Sequence, residues 1–291
     1  MKSNPKNFEE RLFKTRDGLT IAANFYSAEH PTLKKGGQGG FRRSALSITG
    51  RTQEPVLGQS KNSPLPVKNR SLIILSPGFA KFKDAYPMTD LCQELTRYGD
   101  ALCVDFRGVG KSQGRYSFGG SEYLDLEPLL KWGSRYRERI LVGLSLGSYH
   151  SLRAAHAWPK LVTKALLISC PSSLDDVLLT FGPLRQGFAI ATDWKSIQKR
   201  LSMEFNLFFR WGNPFSSKPQ GESLALGISV PLFFLVGGKD RLVVKSLSRK
   251  IYEEASNPKS WTEIPEGNHA EFIYLEQERK FKRWIERSLV I

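Results

Sequence analysis

The chain has 291 residues, of which 40% are hydrophobic and 11% aromatic, and its formal net charge is +15. This length and apolar content fit one α/β domain over residues 1–291, with an insertion and without a second domain. No apolar run is long enough to cross a bilayer and the N-terminal residues are polar, which predicts a cytoplasmic protein without stable membrane insertion. The three cysteines are expected to be buried, reduced thiols. Neither they nor the four scattered histidines form a local metal motif, so no metal or cofactor is expected.

Much of the positive charge lies in residues 29–70, where eight basic and two acidic residues give a net charge of +6. Gly, Ser, Pro and Gln are frequent in this segment and large apolar residues are few. Such a composition cannot offset the entropy of ordering, which predicts a flexible basic insertion. Contact with nucleic acid or anionic lipid through Lys34, Lys35, Arg42 and Arg43 is the alternative. A solvated insertion is preferred, no nucleic-acid partner is expected, and the oligomeric state is left open.

The elements in chain order begin with an antiparallel hairpin, since residues 10–15 and 19–26 alternate around the turn signal Asp17-Gly18. Six more strand candidates follow, most of them rich in branched apolar residues, at 71–75, 101–105, 140–144, 164–169, 231–236 and 261–264. Helical patterns separate most of them, at 87–97, 120–132, 145–158, 245–254 and 271–289. This alternation predicts an α/β fold whose mostly parallel, eight-stranded sheet is opened by the hairpin and has helices on both faces.

The alternation is interrupted at residues 171–229, which contain many aromatic side chains interleaved with basic ones. An insertion after the carboxyl end of a strand lies above the rim of the sheet, which favours a small helical cap over the site. Phe181, Phe205 and Phe209 from this segment, together with Ala80, are the predicted substrate-binding residues. The alternative is that the aromatic residues only pack on the sheet.

The most specific motif is Gly143-Leu144-Ser145-Leu146-Gly147, which ends an apolar strand and begins a helical pattern. A sharp strand-to-helix turn strains the central residue, and the flanking glycines leave room for the neighbouring chain. This context predicts that Ser145 is an exposed nucleophile.

A serine hydroxyl needs a base, and the base needs an orienting acid. We call the turn at Ser145 the elbow. Of the four histidines, only His269 follows a late strand on a short turn, whereas His150 and His156 lie in the predicted helix after the elbow. Asp240 directly follows the apolar strand at 231–236, so the chain order is Ser145, Asp240, His269. Asp175 or Asp176, after the preceding strand, is the alternative acid.

Acyl transfer also creates a negatively charged oxygen, the oxyanion, which hydrogen-bond donors must stabilise. The backbone N–H of Leu146, directly after the serine, is the first predicted donor. The second is the N–H of Phe79 in the loop after the first parallel strand, with Ala80 as the alternative.

These motifs, together with PGF at 77–79, DFRGVGKSQG at 105–114, GGKD at 237–240 and GNH at 267–269, resemble the α/β-hydrolase superfamily. The likeness is to serine hydrolases grouped with monoacylglycerol-lipase-like and serine-aminopeptidase-like enzymes. It implies an α/β-hydrolase fold and a structural role for Arg107, which braces neighbouring loops by bidentate bonds. Two features depart from the superfamily: Pro77 replaces the histidine that many relatives carry before the oxyanion glycine, and the basic insertion is not typical.

The expected function is hydrolysis of a small-molecule carboxylic ester, as in carboxylesterases and lipases, through an acyl-enzyme. Aminopeptidase and thioesterase activities with the same three residues remain alternatives, although relatives that release proline usually have a GGSWG-like elbow. A non-catalytic binding protein on the same fold is the alternative from another class.

Overall fold

A computed structural model describes residues 8–28, 67–79, 81–172, 210–213, 216, 218–256 and 258–290. Most of the predicted basic insertion and residues 173–209 of the predicted cap lie outside these ranges. So do the four predicted substrate-binding residues, Ala80, Phe181, Phe205 and Phe209. Ala80 is also the alternative oxyanion donor. The alternative acids Asp175 and Asp176 also lie outside them. These predictions therefore remain predictions.

The chain opens with the predicted hairpin. Strands β1 (Glu9–Lys14) and β2 (Thr20–Tyr26) are antiparallel, and Glu9 pairs with Phe25 at one end of the register and Lys14 with Thr20 at the other. Gly18 in the turn has φ +82°, a left-handed conformation that glycine adopts without steric cost. Strand β2 then pairs antiparallel with β4, which attaches the hairpin to the main sheet.

The eight strands form one sheet in the order β1-β2-β4-β3-β5-β6-β7-β8, and every pair from β4 onward is parallel. The predicted fold class is confirmed. The remaining strands are β3 (Ser71–Ser76), β4 (Asp100–Val104), β5 (Glu138–Leu144), β6 (Lys164–Ile168), β7 (Leu232–Gly237) and β8 (Lys259–Ile264).

Seven α-helices are found within the described ranges. The helical pattern predicted for 120–132 begins as a 3₁₀ turn at Glu122–Asp125, and the one predicted for 271–289 is broken at Gln277, where φ is −125° and ψ 39°. A short helix at 221–225, inside the predicted cap range, was not predicted. The helices are α1 (Met88–Leu95), α2 (Leu126–Trp132), α3 (Leu146–Ala157), α4 (Gly221–Ala225), α5 (Lys245–Glu254), α6 (Glu271–Glu276) and α7 (Glu278–Val290).

The central strands β3, β4, β6 and β7 are buried on both faces, because successive side chains point to opposite sides of a sheet that is covered on both sides. In β3, Leu72 and Ile74 belong to the core cluster that includes residues of α2, α3, α4 and α5. Ile73 and Leu75 belong to the second cluster, with residues of α1, α6 and α7. The apolar run of β3 thus separates two cores, and the parallel strands all end on the same edge. Loops that carry polar residues meet at that edge.

The three cysteines, Cys92, Cys103 and Cys170, are buried and free of disulfides, as predicted. Cys92 lies in α1, Cys103 in β4 and Cys170 just after β6. Burial raises the pKa of the Cys103 and Cys170 thiols well above their ordinary value, which keeps both protonated.

Candidate active site

The turn between β5 and α3 has the strained geometry that its sequence predicts. Ser145 has φ +53° and ψ −122°, values that residues other than glycine rarely adopt. A Cβ at Gly143 would collide with the backbone of Ser148, and one at Gly147 would collide with the carbonyl oxygen of Ser76. Glycine is therefore required at both positions, and the Ser145 side chain is held at the edge of the sheet, partly exposed.

His269 lies on the turn that follows β8, between two polar side chains. Its Nε2 is 2.8 Å from Ser145 Oγ, and its Nδ1 is 2.9 Å from Asp240 Oδ2. Because an ionised carboxylate only accepts hydrogen bonds, Nδ1 carries the proton and donates to Asp240. Nε2 of the neutral ring is then the acceptor for the Ser145 hydroxyl. The structure therefore brings together the three residues that the sequence singled out.

Asp240 follows β7 and is held by its own loop as well as by the histidine. Its Oδ1 accepts hydrogen bonds from the backbone N–H groups of Leu242 and Val243, both at 2.9 Å. Burial of the Asp240 carboxyl opposes its ionisation, but attraction to the protonated form of His269, the hydrogen bond from His269 and the backbone N–H of Val243 outweigh burial and lower the pKa of Asp240. Asp240 is thus an anion at neutral pH, oriented towards the imidazole.

The two predicted oxyanion donors belong to the turn at Ser145 and to a loop that approaches this turn. Leu146 is the first residue of α3, so its N–H has no acceptor within the helix. The loop after β3 approaches the elbow closely, since a Cβ at Gly78 would lie 3.3 Å from the Ser145 Cβ. Phe79 directly follows Gly78. Leu146 therefore directly follows the serine, and Phe79 directly follows a glycine that approaches it.

A row of aromatic rings extends outward from Phe79. The Phe79 ring lies 5.9 Å from that of Phe118, which in turn lies 5.1 Å from Trp211, and Tyr116 packs between Phe79 and Phe118. Phe79 is 43% exposed and Trp211 59% exposed. We call these four residues the aromatic row. The predicted cap range includes Trp211, whereas Tyr116 and Phe118 were not among the predicted substrate-binding residues. No local pattern indicates that residues so far apart in the sequence come into contact.

Arg107 braces two loops near this edge, as the resemblance implies. Its Nε and Nη2 reach Oδ1 of Asp125 at 2.9 and 2.7 Å, and its backbone N–H donates to Oδ2 of the same carboxylate at 2.7 Å. Its Nη1 donates to Asp17 in the hairpin turn at 2.8 Å. The arginine thus ties the loop after β4 to the hairpin and to the start of α2.

The remaining described histidines do not join the site. His150 is fully buried against the Phe106 ring, and burial lowers its pKa to about 4. His156 is exposed, with Nδ1 2.9 Å from the carbonyl oxygen of Leu224.

Within the described ranges, no three His, Cys, Asp or Glu side chains are grouped so as to hold a metal ion. No helix of the same ranges is both long and apolar enough to cross a membrane.

Comparisons with known proteins agree with this architecture. Among solved structures, the Pyrococcus furiosus esterase Pf2001 is 19% identical with a TM-score of 0.64, and the alignment covers 99% of this chain and 96% of the esterase. GrgF, an alpha/beta hydrolase from Penicillium sp. sh18, is 17% identical with a TM-score of 0.67, covering 98% and 99%. A hydrolase from Pseudomonas aeruginosa PA01 is 16% identical with a TM-score of 0.63, covering 99% of both chains.

At such identities these three likenesses concern the fold. A search of curated proteins finds no relative of this sequence. The sequence model of the alpha/beta hydrolase family, by contrast, matches residues 73–284, which is most of the chain and includes the elbow serine, the acid and the histidine. The chain therefore belongs to the alpha/beta hydrolase family.

Proposed function

We propose that this hydrolase cleaves carboxylic esters through an acyl-enzyme on Ser145. The observation that carries the proposal is the continuous line of hydrogen bonds from Ser145 Oγ to His269 Nε2 at 2.8 Å and from His269 Nδ1 to Asp240 at 2.9 Å. A hydroxyl, an imidazole and a carboxylate in this order form a nucleophile with its base and an orienting anion.

In the first half-reaction, the Ser145 oxygen attacks the ester carbonyl carbon while His269 Nε2 takes the hydroxyl proton. Asp240, fixed by two backbone N–H groups, stabilises the imidazolium that forms. The tetrahedral intermediate then expels the alcohol, and His269 returns its proton to the leaving oxygen. The products are an alcohol and an acyl ester of Ser145.

The negative oxygen of each tetrahedral intermediate needs donors that are already in place. We assign this role to the N–H groups of Leu146 and Phe79, one at the beginning of α3 and the other after the close approach of Gly78 to the elbow. In the second half-reaction, His269 deprotonates a water molecule that attacks the acyl carbon. The carboxylic acid leaves and Ser145 recovers its proton.

The aromatic row favours an ester with a hydrocarbon group on one side of the carbonyl. Phe79 follows the glycine that approaches the elbow, and both it and Trp211 at the far end of the row expose apolar ring surface. Burying such surface against an alkyl chain stabilises the complex by about 25 cal/mol per Å². The predicted cap residues Phe181, Phe205 and Phe209 would add to the same apolar wall.

Aminopeptidase and thioesterase activities are the competing assignments, because the same three residues also serve amide and thioester cleavage. Exopeptidases commonly hold the substrate amine with an acidic group. The acidic side chains of residues 171–229 that could do so, Asp175, Asp176, Asp193 and Glu204, lie outside the described ranges. Substrate competition is therefore the appropriate test.

The test compares p-nitrophenyl esters of graded acyl length with aminoacyl anilides and acyl thioesters, using wild-type protein and Ser145→Ala. We expect esters to have the highest kcat/KM and Ser145→Ala to lose turnover by about several thousandfold or more. Ser151→Ala is the matched control, since the Ser151 hydroxyl is buried in the same helix region and has no hydrogen-bond partner among the described residues. It should keep wild-type turnover.

Three results would contradict the proposal. A higher kcat/KM for anilides or thioesters would replace the ester assignment with one of the competing activities. Unchanged turnover in Ser145→Ala would show that Ser145 is not the nucleophile. A wild-type protein that cleaves none of the three substrate classes would favour a non-catalytic binding protein on this fold.

A further inference from the structure

Two strained residues meet behind the proposed triad. Ser169 has φ +49° and Ala270 has φ +42°, and both are fully buried. They are joined directly, because the backbone N–H of Ala270 donates to the Ser169 hydroxyl oxygen at 3.0 Å. Left-handed backbone at a residue other than glycine costs about 1 kcal/mol or more, and it persists where the surroundings fix it.

Ser169 is the first residue after β6, and its backbone belongs to the sheet edge that carries the site. Its N–H donates to the carbonyl oxygen of Leu235 in β7 at 2.9 Å. The carbonyl of the preceding Ile168 accepts the Ser145 N–H, also at 2.9 Å. Ser169 therefore sits between the strand that leads to the serine and the strand that leads to the acid.

The Ser169 hydroxyl has one proton to donate, and its direction follows from its partners. Its oxygen accepts from the backbone N–H of Ala270, the residue next to His269. The hydroxyl is left to donate towards Asp240, and hydrogen bonding from the Ser169 side chain is one of the influences that lower the pKa of that carboxyl. One hydroxyl thus connects the surroundings of the acid with the turn that carries the base. The carboxylate receives this bond in addition to those from His269, Leu242 and Val243.

The conformation of Ser169 argues that its side chain is needed. Glycine would adopt φ +49° without the steric cost, yet it would supply neither an acceptor for the buried Ala270 N–H nor a donor for Asp240. Serine keeps both bonds and carries the backbone strain. The same reasoning explains the elbow, where Ser145 tolerates a positive φ because its hydroxyl does the chemistry.

We propose that Ser169 is a positioning residue for the Ser145–His269–Asp240 reaction, which fixes Asp240 and the His269-Ala270 turn relative to each other through a single buried hydroxyl. This inference rests on the proposed function. Ser169 reaches the substrate only through Asp240 and His269, so its loss should lower kcat and leave KM unchanged.

The experiment compares Ser169→Gly and Ser169→Ala. Both remove the hydroxyl, but only glycine also releases the strain at positive φ, so Ser169→Gly should have the higher thermal midpoint of the two. We expect kcat to fall by about tenfold in both variants, as for the loss of one hydrogen bond to a charged group. Ser151→Ala again serves as the control and should keep wild-type kcat.

A purely structural role of Ser169 makes a different prediction, because activity would then follow stability. Wild-type kcat in Ser169→Gly, or a kcat loss confined to Ser169→Ala, would overturn the proposal. A rise in KM with unchanged kcat would overturn it as well, because it would place Ser169 in substrate binding.

A spectroscopic measurement separates this proposal from the proposed function. The His269 Nδ1 proton, donated to Asp240, is expected to give a low-field proton NMR signal in wild-type protein. We expect this signal to shift or to broaden by faster exchange in both Ser169 variants and to remain in Ser151→Ala. Should wild type cleave no ester, the proposed function fails, while a moved signal still supports positioning by Ser169. An unmoved signal overturns the positioning role whatever the activity.

Discussion

Two groups of buried polar side chains lie near the carboxyl edge of the sheet, and they are used differently. In the first, Asp125 accepts from the backbone N–H and the guanidinium of Arg107, and Nη1 of the same guanidinium donates to Asp17. In the second, Ser145, His269 and Asp240 are also joined, but the serine at the end of the line is partly exposed. Burial and ion pairing alone do not mark a functional site.

What separates the two groups is the atom left available to a substrate. The polar atoms of the Arg107 group bind Asp125 on one side and Asp17 on the other, so they hold loops in place. The Ser145 group ends in a partly exposed hydroxyl on a strained turn, at the residue before α3. Each prediction below perturbs one of the two groups, or a nearby residue that belongs to neither.

The largest expected effect is that of Asp240→Asn on turnover. The amide keeps the size of the side chain but cannot accept the Nδ1 proton in the same way, so His269 is held in the wrong tautomer and kcat should fall by about 10⁴-fold. Steady-state kinetics on the best ester measure the loss. Asp175→Asn and Asp176→Asn are the comparison. A greater loss of kcat in either variant would show that the orienting acid is one of these two residues after β6 and not Asp240.

Replacement of Arg107 should affect stability rather than chemistry. Arg107→Met leaves the buried Asp125 carboxylate without its partner, which should lower the free energy of unfolding by about 3–5 kcal/mol. Urea titration measures this change, and kcat per folded molecule should stay near the wild-type value. Arg16→Met, which removes an ion pair to Glu127 from a mostly exposed arginine, should cost less than about 1 kcal/mol. Equal losses in the two variants would contradict the bracing role.

His150 provides a test outside both groups. Burial lowers its pKa to about 4 in the folded protein, against 6.5 ordinarily, and neither ring nitrogen has a hydrogen-bond partner among the described residues. As pH falls, His150 takes up a proton in the unfolded chain before it does so in the folded protein. The contribution of its neutral ring to the free energy of unfolding is therefore complete above pH 6.5 and is lost as pH falls from about 6.5 to 4. The shift corresponds to about 3 kcal/mol.

His150→Leu should remove that part of the pH dependence. Urea titrations at pH 7 and pH 4.5 should show a smaller loss of unfolding free energy in the variant than in wild type. At pH 7 the variant should be at least as stable, because two unpaired polar atoms leave the core. His156→Leu, at the exposed histidine, is the control. An unchanged pH dependence in His150→Leu would show that the buried ring finds a partner.

The smallest effect is expected at the outer end of the aromatic row. Trp211→Ala should lower kcat/KM for esters of longer acyl chains by about five- to tenfold and leave acetate esters unaffected, because only a long chain would reach the indole. Leu226→Ala is a matched control, since Leu226 is equally exposed at 59% but lies at the end of α4. An equal effect on short and long esters would place Trp211 outside the substrate path.

The fold could be predicted in detail because most of its signals are local. The hairpin turn at Asp17-Gly18, the apolar runs of the parallel strands and the glycines around Ser145 each act through neighbours in sequence. Boundaries were less predictable where tertiary contacts intervene. The pattern at 271–289 continues through Gln277, but the chain breaks there into α6 and α7.

The candidate site was predictable only in part. Ser145, Asp240 and His269 stand next to local signals, namely an elbow and two strand ends. Trp211 was predicted only as one of the aromatic residues of the cap range, and Ser169 was not singled out although it also follows a strand end. Trp211 contacts Phe118 because its segment pairs with Tyr116, and Ser169 meets Ala270, 101 positions later, because β6, β7 and β8 are adjacent in the sheet.

The sequence by itself determined the order of strands and helices and the strained turn at Ser145, because glycine spacing and apolar periodicity act over a few residues. Only the tertiary structure decided which distant side chains touch. Ser145 and His269 are 124 positions apart, and Asp240 and His269 are 29 apart. They meet because parallel strands end on one edge of a sheet, and the pairing of those strands is set by burial of two cores rather than by any local pattern.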